Sequence, residues 1–136
     1  MITSHIKYLG NLRTEATHVR SGNAFITDAP VDNHGKGEYF SPTDTVSSAL
    51  GSCMLTLMGI AANAHQIELG EIEVDVTKHM ASNPRRISRI DVSITFDRAY
   101  SDHDKKILEK AAITCPVAQS LHPDIEQVVA FTYKTA

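Results

Sequence analysis

Two cysteines, Cys53 and Cys115, are the residues of this chain best suited to carry out chemistry. Cys53 lies in a long run of small and apolar residues, and Cys115 precedes Pro116, a residue type favoured at the first position of a helix. A thiol at a helix start is close to free backbone N–H groups, which favour its thiolate. This placement suggests a nucleophile and a resolving partner. The alternative is two unrelated core residues, because free cysteine is among the most buried residue types.

The apolar surroundings of Cys53 create a chemical problem. Between Thr45 and Ala62 the thiol of Cys53 is the only ionisable group. An apolar environment disfavours a thiolate and makes a thiol unreactive. Cys53 can therefore act as a nucleophile only if the fold brings a cation or a hydrogen-bond donor to it from elsewhere.

The composition limits the classes of function. A length of 136 residues is typical of one domain, and we expect a single domain over residues 1–136. Thirteen Lys or Arg stand against sixteen Asp or Glu, which argues against nucleic acid and anionic membranes as partners. Residues 1–7 lack the apolar core of a signal peptide, and the apolar stretch 50–64 is shorter than the roughly 20 residues that span a bilayer. We therefore expect a cytoplasmic protein, in which a transient catalytic disulfide is possible.

The pattern of apolar residues predicts the elements that must position the two thiols. Ser41, Pro42 and Asp44 predict a helix start, because they supply an N-cap, a proline at the first position and an acid in the first turn. This helix should run to about His65. A period of two after Gly70 predicts an antiparallel hairpin. The other predicted elements are strands over 2–8, 12–20, 24–27 and 129–133, a polar loop over 31–40, a helix beginning at 101 and a short helix over 116–121. The predicted fold class is α+β.

The central helix around Cys53 is apolar on every side. Val46, Leu50, Leu57 and Ile60 lie on the same face as Cys53, and the opposite side carries no charge either. A helix of this kind must be covered all round, and the small residues at 47–52 permit close approach of another helix. We therefore expect a homodimer with this helix at or near the interface. The alternative is a fully buried helix in a compact monomer.

The segment from Ser41 to Cys53, read together with Cys115-Pro116-Val117, resembles the OsmC/Ohr family. The order of strands and helices agrees with that family over nearly the whole chain. The resemblance implies an OsmC-like fold, with antiparallel sheets packed around a long central helix in an intertwined homodimer. It also implies a thiol peroxidase that reduces organic hydroperoxides. Cys53 matches the peroxidatic cysteine, which becomes a sulfenic acid, and Cys115 matches the resolving cysteine, which forms a disulfide with it.

The resemblance also implies an arginine that holds the thiolate. The family has this arginine on an early hairpin, and Arg20 matches its place. Arg20 would supply the cation that Cys53 requires. Without the resemblance, Arg20 is interpreted as a solvated turn residue, and Arg13 is a less favoured substitute.

One position departs from the family pattern. Where the peroxidase branch has an acid after the first proline of the helix, this chain has Thr43. Asp44 lies on the opposite side of the helix from Cys53, where it complements the helix dipole. Glu38, in the preceding loop, is the other acid that could reach the arginine. This departure is consistent with a less characterised OsmC-like branch.

No other constellation of residues indicates a different reaction. None of the histidines has the spacing of a metal ligand set, so we expect no metal and no cofactor. A thiol or a lipoyl group is the expected reductant. The alternative function is a small-molecule binding or redox-responsive module with little catalysis, and a third possibility is a structural dimer whose cysteines only pack. The histidines are His5, His18, His34, His65, His79, His103 and His122.

Overall fold

The structure is a computed structural model that describes residues 1–135. Within these residues, six strands and three α-helices occur in the order that the sequence predicts, which confirms the α+β class. They are β1 (Ser4–Gly10), β2 (Arg13–His18), β3 (Ala24–Asp28), α1 (Pro42–Ala64), β4 (Ile72–Ala81), β5 (Arg86–Phe96), α2 (Asp102–Ile113), α3 (Pro116–Ser120) and β6 (Glu126–Tyr133), with a 3₁₀ turn at Val31–Asn33.

The chain divides into two compact units, one of residues 1–46 and one that begins at Ser47. The first unit contains an antiparallel sheet in the order β1-β2-β3. Its second hairpin turns at Gly22, whose φ of +78° suits a residue without a side chain, and the Gly22 N–H donates to the His18 carbonyl at 2.8 Å. This turn places Arg13 directly opposite Asp28 on neighbouring strands.

The start of α1 is held by a reciprocal cap, as the sequence predicts. The Asp44 N–H donates to the Ser41 hydroxyl at 3.0 Å, and the Ser41 N–H donates to the Asp44 carboxylate at 2.9 Å. Both bonds satisfy backbone donors that the first helical turn leaves unpaired. Asp44 is therefore a capping residue.

The second unit contains a sheet in the order β4-β5-β6. β4 and β5 form the predicted antiparallel hairpin, whose turn includes Asn83 and Pro84. β6 departs from the expected antiparallel arrangement, because it pairs parallel to β5. α2 and α3 lie between these two strands in sequence, and a helical crossover of this length returns the chain to the end of the sheet where β5 began.

One face of α1 forms the core of the second unit. Leu50, Met54, Met58 and Ala62 are buried, and they belong to one hydrophobic cluster with residues of β5 and α2. On β5 the predicted alternation is confirmed, since Ile90, Val92, Ile94 and Phe96 are all buried. The α2 members of the cluster are Leu108 and Ala112.

Cys53 lies at the edge of the buried face of α1. Of the residues predicted on its face, Leu50 is fully buried, whereas Val46 and Ile60 are 40% and 58% exposed. Gly51 lies on the buried side, where an added Cβ would come within 2.9 Å of Val76 and 3.2 Å of Val74. The small residues of this segment therefore allow α1 to approach β4 closely.

α1 has 23 residues, which is longer than the apolar stretch counted from the sequence. By length and composition alone it could cross a membrane, a property shared by core helices of soluble proteins. Its buried face packs in the core of the second unit, as a core helix does.

Candidate functional site

Cys53 lies in the middle of α1, beside the buried face of the helix. Its neighbour Met54 is fully buried, whereas Cys53 itself is half-buried and packs against the core from its edge. The Cys53 thiol is free of any disulfide. A half-buried thiol of this kind is open to a small reactant.

Cys115 caps the start of α3, as its position before Pro116 predicts. The Ala118 N–H points at the Cys115 sulfur, with an N···S distance of 3.5 Å. Cys115 has 0% of its surface exposed, so this thiol, and not that of Cys53, is the fully buried one.

Burial decides the acidity of Cys115. The sequence predicted that the helix start would favour a thiolate here, and this prediction is wrong. Burial raises the pKa of the Cys115 thiol, and this effect outweighs the backbone N–H groups of Ala118 and Val117, which lower it. The neighbouring Cys53 raises the pKa of Cys115 further. Cys115 is therefore held as a neutral thiol at physiological pH.

The fold brings the two cysteines together. Cys115 belongs to the hydrophobic core cluster and Cys53 packs against that cluster, although the two residues are distant in sequence. The Cys53 thiol lies near enough to raise the pKa of the Cys115 thiol. The pair consists of one thiol that reactants can reach and one buried thiol near it.

Arg20 lies in the exposed turn that follows β2. Within residues 1–135 its guanidinium makes no hydrogen bond and no ion pair. Glu38 therefore does not pair with Arg20. The charge of Arg20 is uncancelled and its side chain is unrestrained.

Arg13, the substitute considered from the sequence, is instead held on three sides. Its guanidinium forms an ion pair with Glu38, lies 3.5 Å from the Asp28 carboxylate, and stacks over the Tyr39 ring at 5.2 Å. Asp28 is 1% exposed and also accepts a hydrogen bond of 3.0 Å from the Glu38 N–H. The loop that carries Glu38 is thus tied to β3.

Sequence reasoning did not identify Asp28 and Tyr39 as partners of Arg13. The register of β2 and β3 pairs position 13 with position 28 through a turn over residues 19–22, whereas the strands predicted over 12–20 and 24–27 would have paired position 13 with position 31. The second oxygen of Asp28, Oδ1, is buried and has no hydrogen-bond partner. No signal in the sequence points to Tyr39.

A groove lies between α1 and β4, on the side of α1 away from Cys53. It has a cavity volume of about 380 Å³, and its lining is mixed, because small polar and aliphatic side chains alternate along it. Ser52, the neighbour of Cys53 in sequence, is part of that lining. The lining residues are Ser48, Gly51, Ser52, Leu55, Val74, Asp75 and Val76.

In the described part of the chain, no three His, Cys, Asp or Glu side chains are grouped to hold a metal ion. Thiol chemistry is the chemistry that the site's own residues offer.

The fold and the paired thiols define an α+β protein with a two-cysteine site. A family model described as OsmC-like protein matches residues 35–128, which is more than half of the chain. The chain therefore belongs to the OsmC-like family, and the resemblance seen in the sequence is confirmed.

Solved structures agree with this assignment. A protein from Psychrobacter arcticus 273-4, described as an osmotic stress induced and detoxification response protein, is 51% identical, covers 96% of each chain and has a TM-score of 0.92. An organic hydroperoxide resistance protein OsmC from Legionella pneumophila is 12% identical over 97% of this chain and 98% of that one, with a TM-score of 0.77. At that identity the likeness shows the fold alone. A comparison with curated proteins gave no match.

Proposed function

We propose that this protein is a thiol-dependent peroxidase that reduces organic hydroperoxides. The observation that carries the proposal is the pair of neighbouring free thiols, in which Cys53 is half-buried and accessible and Cys115 is buried nearby. The Cys53 thiolate attacks the outer oxygen of the hydroperoxide, so that the S–O bond of a sulfenic acid forms as the O–O bond breaks. The inner oxygen leaves as an alkoxide and takes up a proton to become the alcohol. The Cys115 thiol then attacks the Cys53 sulfur, and water leaves as the disulfide forms.

The geometry supports this division of roles. A resolving thiol has to remain next to the sulfenic acid and away from competing reactants, and the burial of Cys115 meets both needs. Its raised pKa keeps Cys115 protonated, so that it can donate a hydrogen bond to a Cys53 thiolate. A thiol or lipoyl reductant would return both cysteines to the reduced form.

Arg20 is the proposed cation for Cys53, with Arg13 as the substitute. Arg20 has an uncancelled charge, which is what stabilises a thiolate. The charge of Arg13 is balanced by Asp28 and Glu38, although these carboxylates also restrain its side chain. The two arginines therefore offer opposite advantages, and their variants distinguish them.

The proposal is tested by treating reduced protein with one equivalent of cumene hydroperoxide, counting free thiols and recording the intact mass. We expect both thiols to disappear within seconds, with a mass lower by the two hydrogens of a Cys53–Cys115 disulfide. Cys115→Ser, the matched control, should stop at the sulfenic acid of Cys53, and Cys53→Ser should not react. Two thiols that survive for minutes in the wild-type protein would rule out the peroxidase.

The groove between α1 and β4 favours a second candidate, a small-molecule binding module with little catalysis. Its volume of about 380 Å³ lies in the range of ligand pockets, and it adjoins the reactive helix. Apolar ligands should then raise the melting temperature of wild-type protein, and Leu55→Ala should remove that shift. This outcome together with unreactive thiols would favour the module over the peroxidase.

The assembly and the location are part of the same proposal. An intertwined homodimer would cover the exposed side of α1, where Val46 and Ile60 lie. We propose that the protein acts in the cytoplasm, where reductants keep thiols free, without nucleic acid or membrane partners. A single domain over residues 1–136 remains our prediction.

A further inference from the structure

One polar side chain interrupts an otherwise apolar row on β6. In the parallel pairing of β5 with β6, Gln127 stands opposite Ile90, which is fully buried. Val129 and Phe131, the next residues of the same row, are apolar and pack against the hydrophobic core. Since a polar group in such surroundings is costly unless it is hydrogen-bonded, the amide of Gln127 requires a partner there.

That partner belongs to α3. The Gln127 side-chain amide donates to the Ala118 carbonyl at 3.0 Å. A carbonyl inside an α-helix accepts from the N–H four residues later, but α3 ends at Ser120, before such a donor is reached. β6 therefore supplies the donor that a helix of five residues lacks.

Ala118 is also the residue that faces the proposed resolving thiol. The Ala118 N–H points at the Cys115 sulfur, with an N···S distance of 3.5 Å. Pro116 has no N–H, and the Gln119 N–H donates to the Cys115 carbonyl at 3.1 Å, so the sulfur depends on the donors between them. Of these, the Ala118 N–H lowers the pKa of the Cys115 thiol more than the Val117 N–H does. The Ala118 N–H is thus the main contact that opposes the effect of burial on this thiol.

Apolar packing alone does not fix the direction of this N–H. Val117 and Leu121 pack against the hydrophobic core, but the hydrophobic effect has no preferred direction. A hydrogen bond, in contrast, weakens steeply as its angle departs from linearity. Within residues 1–135, the Gln127 amide is the one side chain of another element that donates to α3, and it does so at the residue whose N–H faces Cys115.

We propose that Gln127 is a positioning residue for Cys115, holding α3 so that the Ala118 N–H stays directed at the Cys115 sulfur while that sulfur attacks Cys53. This inference rests on the proposed function. In the attack, an S–S bond forms and the S–O bond of the Cys53 sulfenic acid breaks, and the hydroxide leaves as water with the Cys115 proton. The N–H stabilises the negative charge that the Cys115 sulfur gains as it loses this proton. Gln127 touches neither sulfur and acts through Ala118.

The first test needs no peroxide. In Cys53→Ser, Cys115 is the remaining cysteine, and the NMR chemical shift of Cβ in isotope-labelled cysteine follows its ionisation as pH rises. Gln127→Met keeps the length of the side chain and removes its donor. We expect it to raise the midpoint of Cys115, so that the thiolate fraction below this midpoint falls about three- to tenfold, the range of one hydrogen bond.

Two further variants distinguish the position from the substitution. Gln127→Glu keeps the length, and its carboxylate cannot donate once ionised, so it should shift the midpoint in the same direction. Gln119→Met makes the matched change on the exposed side of α3 and should leave the midpoint of Cys115 unchanged. Circular dichroism checks that each variant folds. A merely structural role of Gln127 would lower stability without moving the midpoint.

The second test follows a single turnover with cumene hydroperoxide in protein that retains both cysteines. Dimedone traps the Cys53 sulfenic acid, and intact mass records the disulfide, so the two steps are measured separately. Gln127→Met should leave the oxidation of Cys53 unchanged and slow disulfide formation about three- to tenfold at neutral pH. This slowing should diminish at alkaline pH, where Cys115 is ionised in both proteins.

Three outcomes would overturn the inference: an unchanged midpoint in both Gln127 variants, an equal shift in Gln119→Met, or an equal slowing of both steps. A shifted midpoint in a protein that forms no Cys53–Cys115 disulfide with peroxide would support the positioning of Cys115 and refute the proposed redox function. A disulfide that forms with peroxide, together with unchanged midpoints and rates, would refute only the role of Gln127.

Discussion

At the scale of single residues, the acidity of Cys115 results from a competition between two effects. The backbone N–H groups at the start of α3 favour the thiolate, and complete burial disfavours it. Burial is the larger effect, because Cys115 has no contact with water. A cysteine at a helix start is therefore reactive only where the fold leaves it accessible.

The first prediction concerns the pH at which Cys115 ionises. In Cys53→Ser, the rate of alkylation of Cys115 by iodoacetamide should rise with pH and reach its midpoint above about 8.5, the ordinary value of a thiol. Burial, the largest cause of the raised pKa, remains in this variant. Cys115→Ser is the control, in which the more exposed Cys53 should be alkylated faster.

The same shift predicts how Cys115 contributes to stability. A raised pKa in the folded state means that this contribution is complete below the pKa of the unfolded thiol and declines as pH rises through the folded pKa. Wild-type protein should therefore lose more stability between neutral and alkaline pH than Cys115→Ala. An alkylation midpoint for Cys115 below the ordinary value would contradict both expectations.

The second prediction separates the two arginines. Arg20→Gln should slow the oxidation of Cys53 by cumene hydroperoxide at neutral pH by about tenfold, because an uncancelled cation favours the thiolate. Arg13→Gln is the matched comparison, since it removes an arginine whose charge two carboxylates already balance. Stopped-flow measurement of thiol loss gives both rates. A loss confined to Arg13→Gln would transfer the role to Arg13.

At the scale of secondary-structure elements, the contact between α1 and β4 depends on a missing side chain. Gly51 allows the helix to lie against Val74 and Val76, and a Cβ at this position would come within 2.9 Å of Val76. Both neighbours are branched residues of a paired strand, so they have little freedom to move. The side chain of Cys53 takes its position from this contact, because both residues belong to the same helix.

The third prediction compares two glycines of α1. Gly51→Ala should destabilise the protein by about 1–3 kcal/mol, because the added methyl group overpacks the contact with β4. Gly59→Ala is the matched control, since its added Cβ would meet nothing within 4 Å, and better helix propensity should stabilise the protein by about 0.5–1 kcal/mol. Urea denaturation measures both changes. Equal changes in the free energy of unfolding for the two substitutions would show that the close approach of α1 to β4 does not contribute to stability.

At the scale of the whole molecule, α1 leaves apolar side chains uncovered on the side away from the core. Ile60 is 58% exposed and Val46 is 40% exposed in the single chain. Burial of a side chain as large as isoleucine contributes roughly 1.5–3 kcal/mol, so a second copy that covers this side would gain stability. The exposed residues are thus consistent with the predicted homodimer.

The fourth prediction concerns this assembly. Light scattering at micromolar concentration should give twice the mass of one chain, and Ile60→Glu should shift the protein toward the monomer, because a buried unpaired carboxylate is costly. Lys106→Glu, a charge change of the same sign and twice the size on α2, should leave the mass unchanged. A wild-type mass equal to that of one chain would refute the homodimer.

Much of the fold could be predicted from local patterns. The capping residues Ser41 and Asp44 marked the start of α1, and the alternation from Ile90 to Phe96 marked the buried face of β5. These signals are local, because a cap acts within one turn and side chains of a strand alternate with a period of two. No local pattern predicted the direction of β6, because that direction depends on where the α2–α3 crossover returns the chain.

In the candidate site, too, some features could be predicted from the sequence and others depend on the tertiary structure. The residue types and the position of Cys115 before Pro116 identified the thiols and the helix start, and the family resemblance assigned their roles. Tertiary structure decided which thiol is buried, that the two thiols are neighbours, and that Glu38 pairs with Arg13. Burial and ion pairing depend on residues far apart in sequence, whereas capping and periodicity act between near neighbours. The local sequence therefore determines which chemistry is available to this chain, and the packing of the fold determines the acidity and accessibility of each group.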